Sequence, residues 1–288
     1  SMNNASVAGL VGTEVVARSD RFTYDGESEE VSLAYDAPEN TTSTTLTVTD
    51  SDGKVVYTGL FNQRGTFESD LSVMRTREDS FYIVSSSAQR IRDANWILQH
   101  VEPQQQVDLI DVTDELSVIG LMGPNSRQIL TRVSDDDFAT FAFGTSRKIC
   151  IQGVGLRAAR ITYVGELGWE LHVPGDDAAT VYDAICEAGQ ELGLVDAGHY
   201  AVNSLRLEKG YRAWGADLTP DDTPLEAGLS FALAWDKEIP FIGKDALLKQ
   251  REEGLCKRMV SFVVKDPDQT LWHDEPIYRD GVCVGYTS

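Results

Sequence analysis

From about residue 57 onward the apolar pattern switches repeatedly between period two and helical spacing, and this limits the fold more than any other feature of the chain. Phe81-Tyr82-Ile83-Val84 reads as a buried strand, and Ala88 to His100 follows with Ile91, Trp96 and Ile97 at helical spacing. Val118-Ile119-Gly120-Leu121 is a strand, and Gly123-Pro124-Asn125 leads into a short helix. Strands are expected over Ala158 to Tyr163 and Glu170 to Val173. A helix capped by Asp176 or Asp177 is expected to run to about Leu192. Further helices are expected over Tyr200–Tyr211 and over Asp245–Arg251 after Gly243, then strands joined by turns from Arg258 to Gly285. Strands and helices interleave without strict βαβ regularity, so the fold class is α+β. Residues 1–56 differ in style. Val31 to Tyr35 alternates, and Thr44–Asp50, the turn Ser51-Asp52-Gly53 and Lys54–Tyr57 form a hairpin signature. The expected organisation is an all-β module at 1–56, an α+β region at 57–240 and a final part at 241–288.

Charge and composition remove several function classes. The 288 residues carry 46 acidic and 25 basic side chains, a net charge of −21. Nucleic-acid binding needs cations that displace counterions from phosphates, and anionic membranes impose the same demand, so neither is an expected partner. No stretch approaches the ~20 apolar residues of a membrane-spanning helix. No basic segment leads into an apolar one as in a signal peptide, so a cytoplasmic location is expected. The cysteines, Cys150, Cys186, Cys256 and Cys283, form no CxxC pair, and no zinc site is indicated. Cys150 and Cys186 lie in apolar stretches and are expected to be buried free thiols. There is no phosphate-binding P-loop, no dinucleotide fingerprint and no nucleophile elbow, and His100, His172, His199 and His273 are scattered.

What remains is a set of carboxylates and aromatics. Thr162 to Leu171 reads as strand, glycine-bracketed turn and strand, with Gly165 and Gly168 permitting positive φ or close backbone approach. If Trp169 and Leu171 face one way, Glu170 faces the other, either exposed on a strand or fixed into a cavity. Asp70, after Gly65, is on local pattern a turn acid, and Tyr211 and Trp214 by default belong to the core.

Four motifs alter this picture: Asn62-Gln63-Arg64-Gly65 through Glu68-Ser69-Asp70-Leu71; Tyr163 through Leu171; Ser204-Leu205-Arg206-Leu207-Glu208-Lys209-Gly210-Tyr211; and Thr223 through Leu229 leading to Phe241-Ile242-Gly243-Lys244. With them, residues from about 57 to 288 resemble the glycine-cleavage aminomethyltransferase (T-protein) family. The resemblance is strongest to the subfamily at the C-terminal end of bacterial dimethylglycine and sarcosine dehydrogenases. It implies a cloverleaf of small domains around a tetrahydrofolate channel. It also implies that Asp70 is the acid beside the reactive folate nitrogens and Glu170 the carboxylate that holds the pterin. Tyr163 and Tyr211 would line the pterin pocket, with Ser72 at a nearby polar position. The implied activity is tetrahydrofolate-dependent one-carbon (aminomethyl or methylene) transfer in N-methylamine or glycine catabolism. The substrates would be the small-molecule folate and an N-methylamine-derived one-carbon donor. No flavin-binding segment is legible, so a separate flavoprotein subunit would supply the oxidised donor. The match lacks the family's opening segment and the end of its C-terminal barrel, so the folate-binding fold is expected to be incomplete, with unpaired edges.

Residues ~5 to 59 resemble instead the Ig-like β module of the bacterial flagellar hook-capping protein. The matching residues are Gly9 to Val15, Phe22-Thr23-Tyr24-Asp25-Gly26, Ser32 to Asp36 and Thr49 to Val56. Two other functions fit the same residues. One is a non-catalytic assembly protein with a degenerate folate domain, and the other a folate-dependent demethylase of another methyl donor. Retention of Asp70, Tyr163, Glu170 and Tyr211 favours the transferase.

Overall fold

The computed structural model describes residues 13–16, 53–77, 79–237, 240–266 and 268–288. Nine strands build one antiparallel sheet: β1 (Thr13–Val16), β2 (Gly53–Phe61), β3 (Phe67–Arg75), β4 (Ser80–Ser85), β5 (Asp108–Asp111), β6 (Leu116–Met122), β7 (Thr145–Ile151), β8 (Val154–Ala159) and β9 (Gly168–Pro174). Their order is β5-β1-β4-β3-β2-β7-β8-β9-β6. Helices α1 (Arg90–Gln99), α2 (Ser126–Val133), α3 (Ala178–Gly189), α4 (His199–Glu208) and α5 (Lys244–Glu253) surround it, and β10 (Pro276–Arg279) pairs with β11 (Val282–Tyr286) in a separate hairpin. The mixed α+β class holds. Apart from β1, which pairs with β4 and β5, and the start of β2, the proposed 1–56 module with its hook-capping resemblance lies outside the described residues.

Among the described residues, β2 pairs with β7 at Gly53↔Ser146 and Lys54↔Thr145, and the Val55 amide donates to the Gly144 carbonyl at 2.7 Å; this junction joins a β5-β1-β4-β3-β2 half to a β7-β8-β9-β6 half. Each half covers its outer face. Leu60, Leu71 and Ile83 pack with Trp96 of α1, while Ile151, Ala158, Trp169, Leu171 and Val173 pack with α2 and α3. The inner faces meet. Val55, Met74 and Tyr82 of one half bury against Ala159 of the other. A fourth cluster joins Phe61 and Phe67 to Leu218, Leu229, Leu233 and Leu247 of the later segments. Three packed units therefore converge on the β2-β3 hairpin.

Several local expectations change. The strand expected to reach Tyr163 stops at Ala159. There the Arg160 amide turns to the Thr145 carbonyl and the Ile161 amide closes back on Ala159. Helix α4 ends at Glu208, and Gly210 (φ +68°) begins a loop. Asp177 occupies the N-cap of α3 but makes no side-chain capping bond. Between Arg258 and Glu275 no strand forms among the described residues. Cys150 is exposed, because period two buries its neighbours Ile149 and Ile151 and turns the thiol outward; Cys186 is half-buried.

Candidate functional site

Asp70 is a strand residue, not a turn acid. The turn belongs to Asn62, whose side chain bonds Thr66 and the Arg64 amide, while Gly65 takes φ +77°. Chain reversal there leaves β3 to alternate: Ser69, Leu71 and Val73 face α1, and Asp70, Ser72 and Met74 face the layer between the halves. Tyr57 stands opposite Ser72 on β2, and its hydroxyl donates to Asp70 Oδ2 at 2.9 Å. Burial raises the Asp70 carboxyl, and the Tyr57 hydrogen bond partly opposes that rise. Burial, with the Asp70 charge beside it, drives the Tyr57 phenol strongly upward, so Tyr57 keeps its proton and donates. The Tyr57 ring lies against Phe231 at 6.2 Å between centroids.

Behind Asp70, on the α1 side, lies a second carboxylate. Asp93 is 1% exposed and accepts the Ser69 hydroxyl at 3.0 Å; burial pushes it up to about 6.

Glu170 projects from β9 into the same layer. The two glycines ahead of it behave as their spacing suggests. Gly165 has φ +73°, and a Cβ there would stand 2.3 Å from Lys209 Cγ. A Cβ on Gly168 would stand 2.7 Å from Met122 Cγ. Trp169 and Leu171 are fully buried in the outer core, so Glu170 must face inward. Its register partners are Gly120 and Ala159, and beside Gly120 a Cβ would meet only Met122, at 3.6 Å. Space therefore remains next to the carboxylate. Burial alone pushes Glu170 up to about 7 from the ordinary 4.5. Among the described residues its one ionisable neighbour within ion-pair distance is His172, with Nε2 3.9 Å from Oε2.

The other expected residues divide. Tyr163 lies in the loop after β8 and donates its hydroxyl to the Arg212 carbonyl at 3.2 Å. Burial raises its phenol, and the Asp70 charge acts on it in the same sense. Tyr57, Asp70, Ser72 and Tyr163 thus share one neighbourhood. Tyr211 is not core; its ring is 37% exposed, one residue before Arg212. Asp70 and Glu170 make no contact with each other; they stand on the facing inner surfaces of the two halves.

Sequence reasoning missed Tyr57, Tyr82, His172 and the buried pair Arg206–Asp217. Arg206 is ion-paired to Asp217 and donates to the Tyr211 carbonyl at 3.0 Å, and Asp217 accepts the Ala213 amide at 2.9 Å and the Ser288 hydroxyl at 2.9 Å. A signal for His172 existed: it follows Glu170 by two residues on one strand face. Tyr82 and His172 also line a cavity of about 760 Å³, together with Arg77, Lys148 and Arg157. That cavity does not include Asp70 or Glu170 in its lining.

Comparison with known proteins agrees with this architecture. The family model for the GCVT N-terminal domain matches residues 40–237. The chain is 40% identical over 254 residues to the mitochondrial sarcosine dehydrogenase of Homo sapiens, covering 81% of this chain and 27% of that protein. It is 37% identical over 233 residues to the aminomethyltransferase of Halothermothrix orenii, covering 81% of this chain and 64% of that one. It therefore spans about a quarter of the dehydrogenase and under two thirds of the transferase. The crystal structure of the glycine cleavage system aminomethyltransferase T from Bartonella henselae shares the fold, with a TM-score of 0.62 and 24% identity over 70% of this chain and 54% of that one. The matched segment is more than half of the chain, and this chain belongs to the GCVT N-terminal domain family.

Proposed function

We propose that the chain binds tetrahydrofolate between the two sheet halves and provides the site where it accepts a one-carbon unit derived from an N-methylamine such as sarcosine or dimethylglycine. The observation that carries this reading is Glu170: an inward carboxylate, desolvated, with open space beside Gly120. Glu170, its side chain 21% exposed but largely desolvated, has no cation among the described residues, which is costly unless a ligand brings donors to it. A pterin does so, because its ring N–H and 2-amino group form a two-donor edge that one carboxylate accepts bidentately. Tyr163 and Tyr211 offer ring surface to a flat heterocycle, and Ser72 adds a hydroxyl on the Asp70 face.

Bound tetrahydrofolate supplies the nucleophilic nitrogen that takes up the one-carbon unit. Asp70 is the group that acts at the amine. Tyr57 fixes its Oδ2 and leaves a carboxylate whose raised pKa suits it to receive a proton. Its negative charge also favours a cationic centre forming beside it. Oxidation of the N-methyl group is assigned to flavin chemistry outside these residues, in which no dinucleotide fingerprint is legible.

Calorimetric titration with tetrahydrofolate of the wild type and of Glu170→Gln tests the reading. The variant is expected to bind at least about tenfold more weakly, equivalent to ~1.4 kcal/mol. A folded wild type that does not bind, or a variant that binds equally well, overturns it.

A further inference from the structure

The inner face of β9 carries a second buried polar group that the proposed chemistry leaves unused. His172 is 2% exposed. Its Nδ1 lies 3.0 Å from the Tyr82 hydroxyl, and the two rings meet edge to face at 5.2 Å. Among the described residues its buried Nε2 has no hydrogen-bond partner, and it lies 3.9 Å from Glu170 Oε2.

We propose that His172 is a positioning residue for Glu170: Tyr82 donates to Nδ1, this fixes the proton on Nε2, and the Nε2–H aims the Glu170 carboxylate at its ligand. The proposal rests on the reading of Glu170 as a ligand anchor.

Three steps lead to it. Tyr82 is a dependable donor, because burial pushes its phenol up to about 12. An imidazole that accepts at Nδ1 must, when neutral, carry its proton on Nε2. His172 is neutral at physiological pH, since burial, reinforced by the Arg157 charge, pulls it down to about 4. The opposite tautomer would place a lone pair against the Glu170 carboxylate whenever that group is ionised, which is repulsive. Among the described residues, the groups facing His172 are Tyr82 from β4, Arg157 from its register position on β8 and Glu170 from its own strand. None of them offers Nε2 a better acceptor than Glu170.

The 3.9 Å gap is the expected resting geometry. A bidentate ligand edge fixes the plane of the carboxylate, and a small shift of either side chain then closes the hydrogen bond. Functional hydrogen bonds are commonly long in the free protein and tighten in the complex. The same arrangement occurs around metals, where an imidazole's second nitrogen is held by another group so that the first points correctly. Here the object oriented is an acid.

The test uses the full chain with histidines labelled by ¹⁵N; His172 is assigned by loss of its signals in His172→Gln. The proposal expects a protonated-type Nε2 and a bare Nδ1 in the wild type. It also expects an Nε2 resonance that moves in Glu170→Gln, and a mixed tautomer in Tyr82→Phe. In tetrahydrofolate titrations, His172→Phe should bind about tenfold more weakly, and His172→Gln, which returns an N–H donor, should recover to within about threefold. A proton on Nδ1, an Nε2 signal indifferent to Glu170→Gln, or a His172→Phe variant that binds like the wild type overturns the proposal. If the wild type binds no folate, the folate reading fails, while the tautomer and its response to Glu170→Gln still decide whether His172 orients Glu170.

Discussion

Replacing Glu170 by glutamine should make the protein more stable above neutral pH and leave it unchanged in mild acid. In the folded state the carboxyl titrates at about 7, against 4.5 when solvated. A raised folded-state pKa means that the folded protein holds its proton where the unfolded chain has lost it. The stability it contributes is fully present below 4.5 and is lost as pH rises through 7. The span is about 2.5 pH units, and at 1.36 kcal/mol per unit the full penalty is about 3 kcal/mol. Glutamine keeps the shape and removes the titration. The assay is urea unfolding of both proteins from pH 5 to pH 8. Subtracting the two curves cancels titrating groups that do not interact with Glu170, such as Asp93. The difference should be small at pH 5 and grow to about 3 kcal/mol in favour of the variant by pH 8. Parallel curves would refute the inference that this carboxylate is desolvated and unpaired, and with it the physical basis for a ligand-anchoring role.

Two further outcomes follow from the same geometry. Tyr57→Phe keeps the contact with Phe231 and deletes the hydrogen bond to Asp70. A bond to a charged group contributes about 1.5–3 kcal/mol, so the acid limb of any Asp70-dependent rate should move about one to two units toward alkaline pH; an unmoved limb would show that Asp70 is not the titrating group. Arg206→Ala strands Asp217 in the interior and should cost about 3–5 kcal/mol in chemical denaturation, where loss of a surface ion pair costs under about 1 kcal/mol.

The face of Glu170 was legible because Trp-Glu-Leu-His-Val alternates strictly, and two large apolar residues on one side force the acid to the other. Its glycine-bracketed turn was legible for the same local reason. Asp70 was not. Its strand alternates just as well, but the polar side of an amphipathic strand is normally the wet side. Here both sides are covered, one by α1 and the other by the second half of the sheet, and only tertiary structure shows that. Tyr57 escaped because its role depends on a cross-strand diagonal to a residue 13 positions away. The Arg206–Asp217 pair joins a helix to a loop that no periodicity describes. The end of β8 was misjudged because Ile161 and Tyr163 prolong an apolar rhythm after the backbone has already turned.

The junction between β2 and β7 has a mechanical meaning. Among the described residues the backbone stitching at Gly53–Val55 is shorter than the ladders elsewhere, and the side chains of the inner layer add to it. The two halves there resemble masonry as much as fabric. Sliding them apart would open the contacts among Val55, Met74, Tyr82 and Ala159. A molecule seated in that joint would act as mortar, touching both courses at once. Its binding energy would add directly to the strength of the wall by mass action, so a melting temperature that climbs with ligand concentration would report how far the joint is filled.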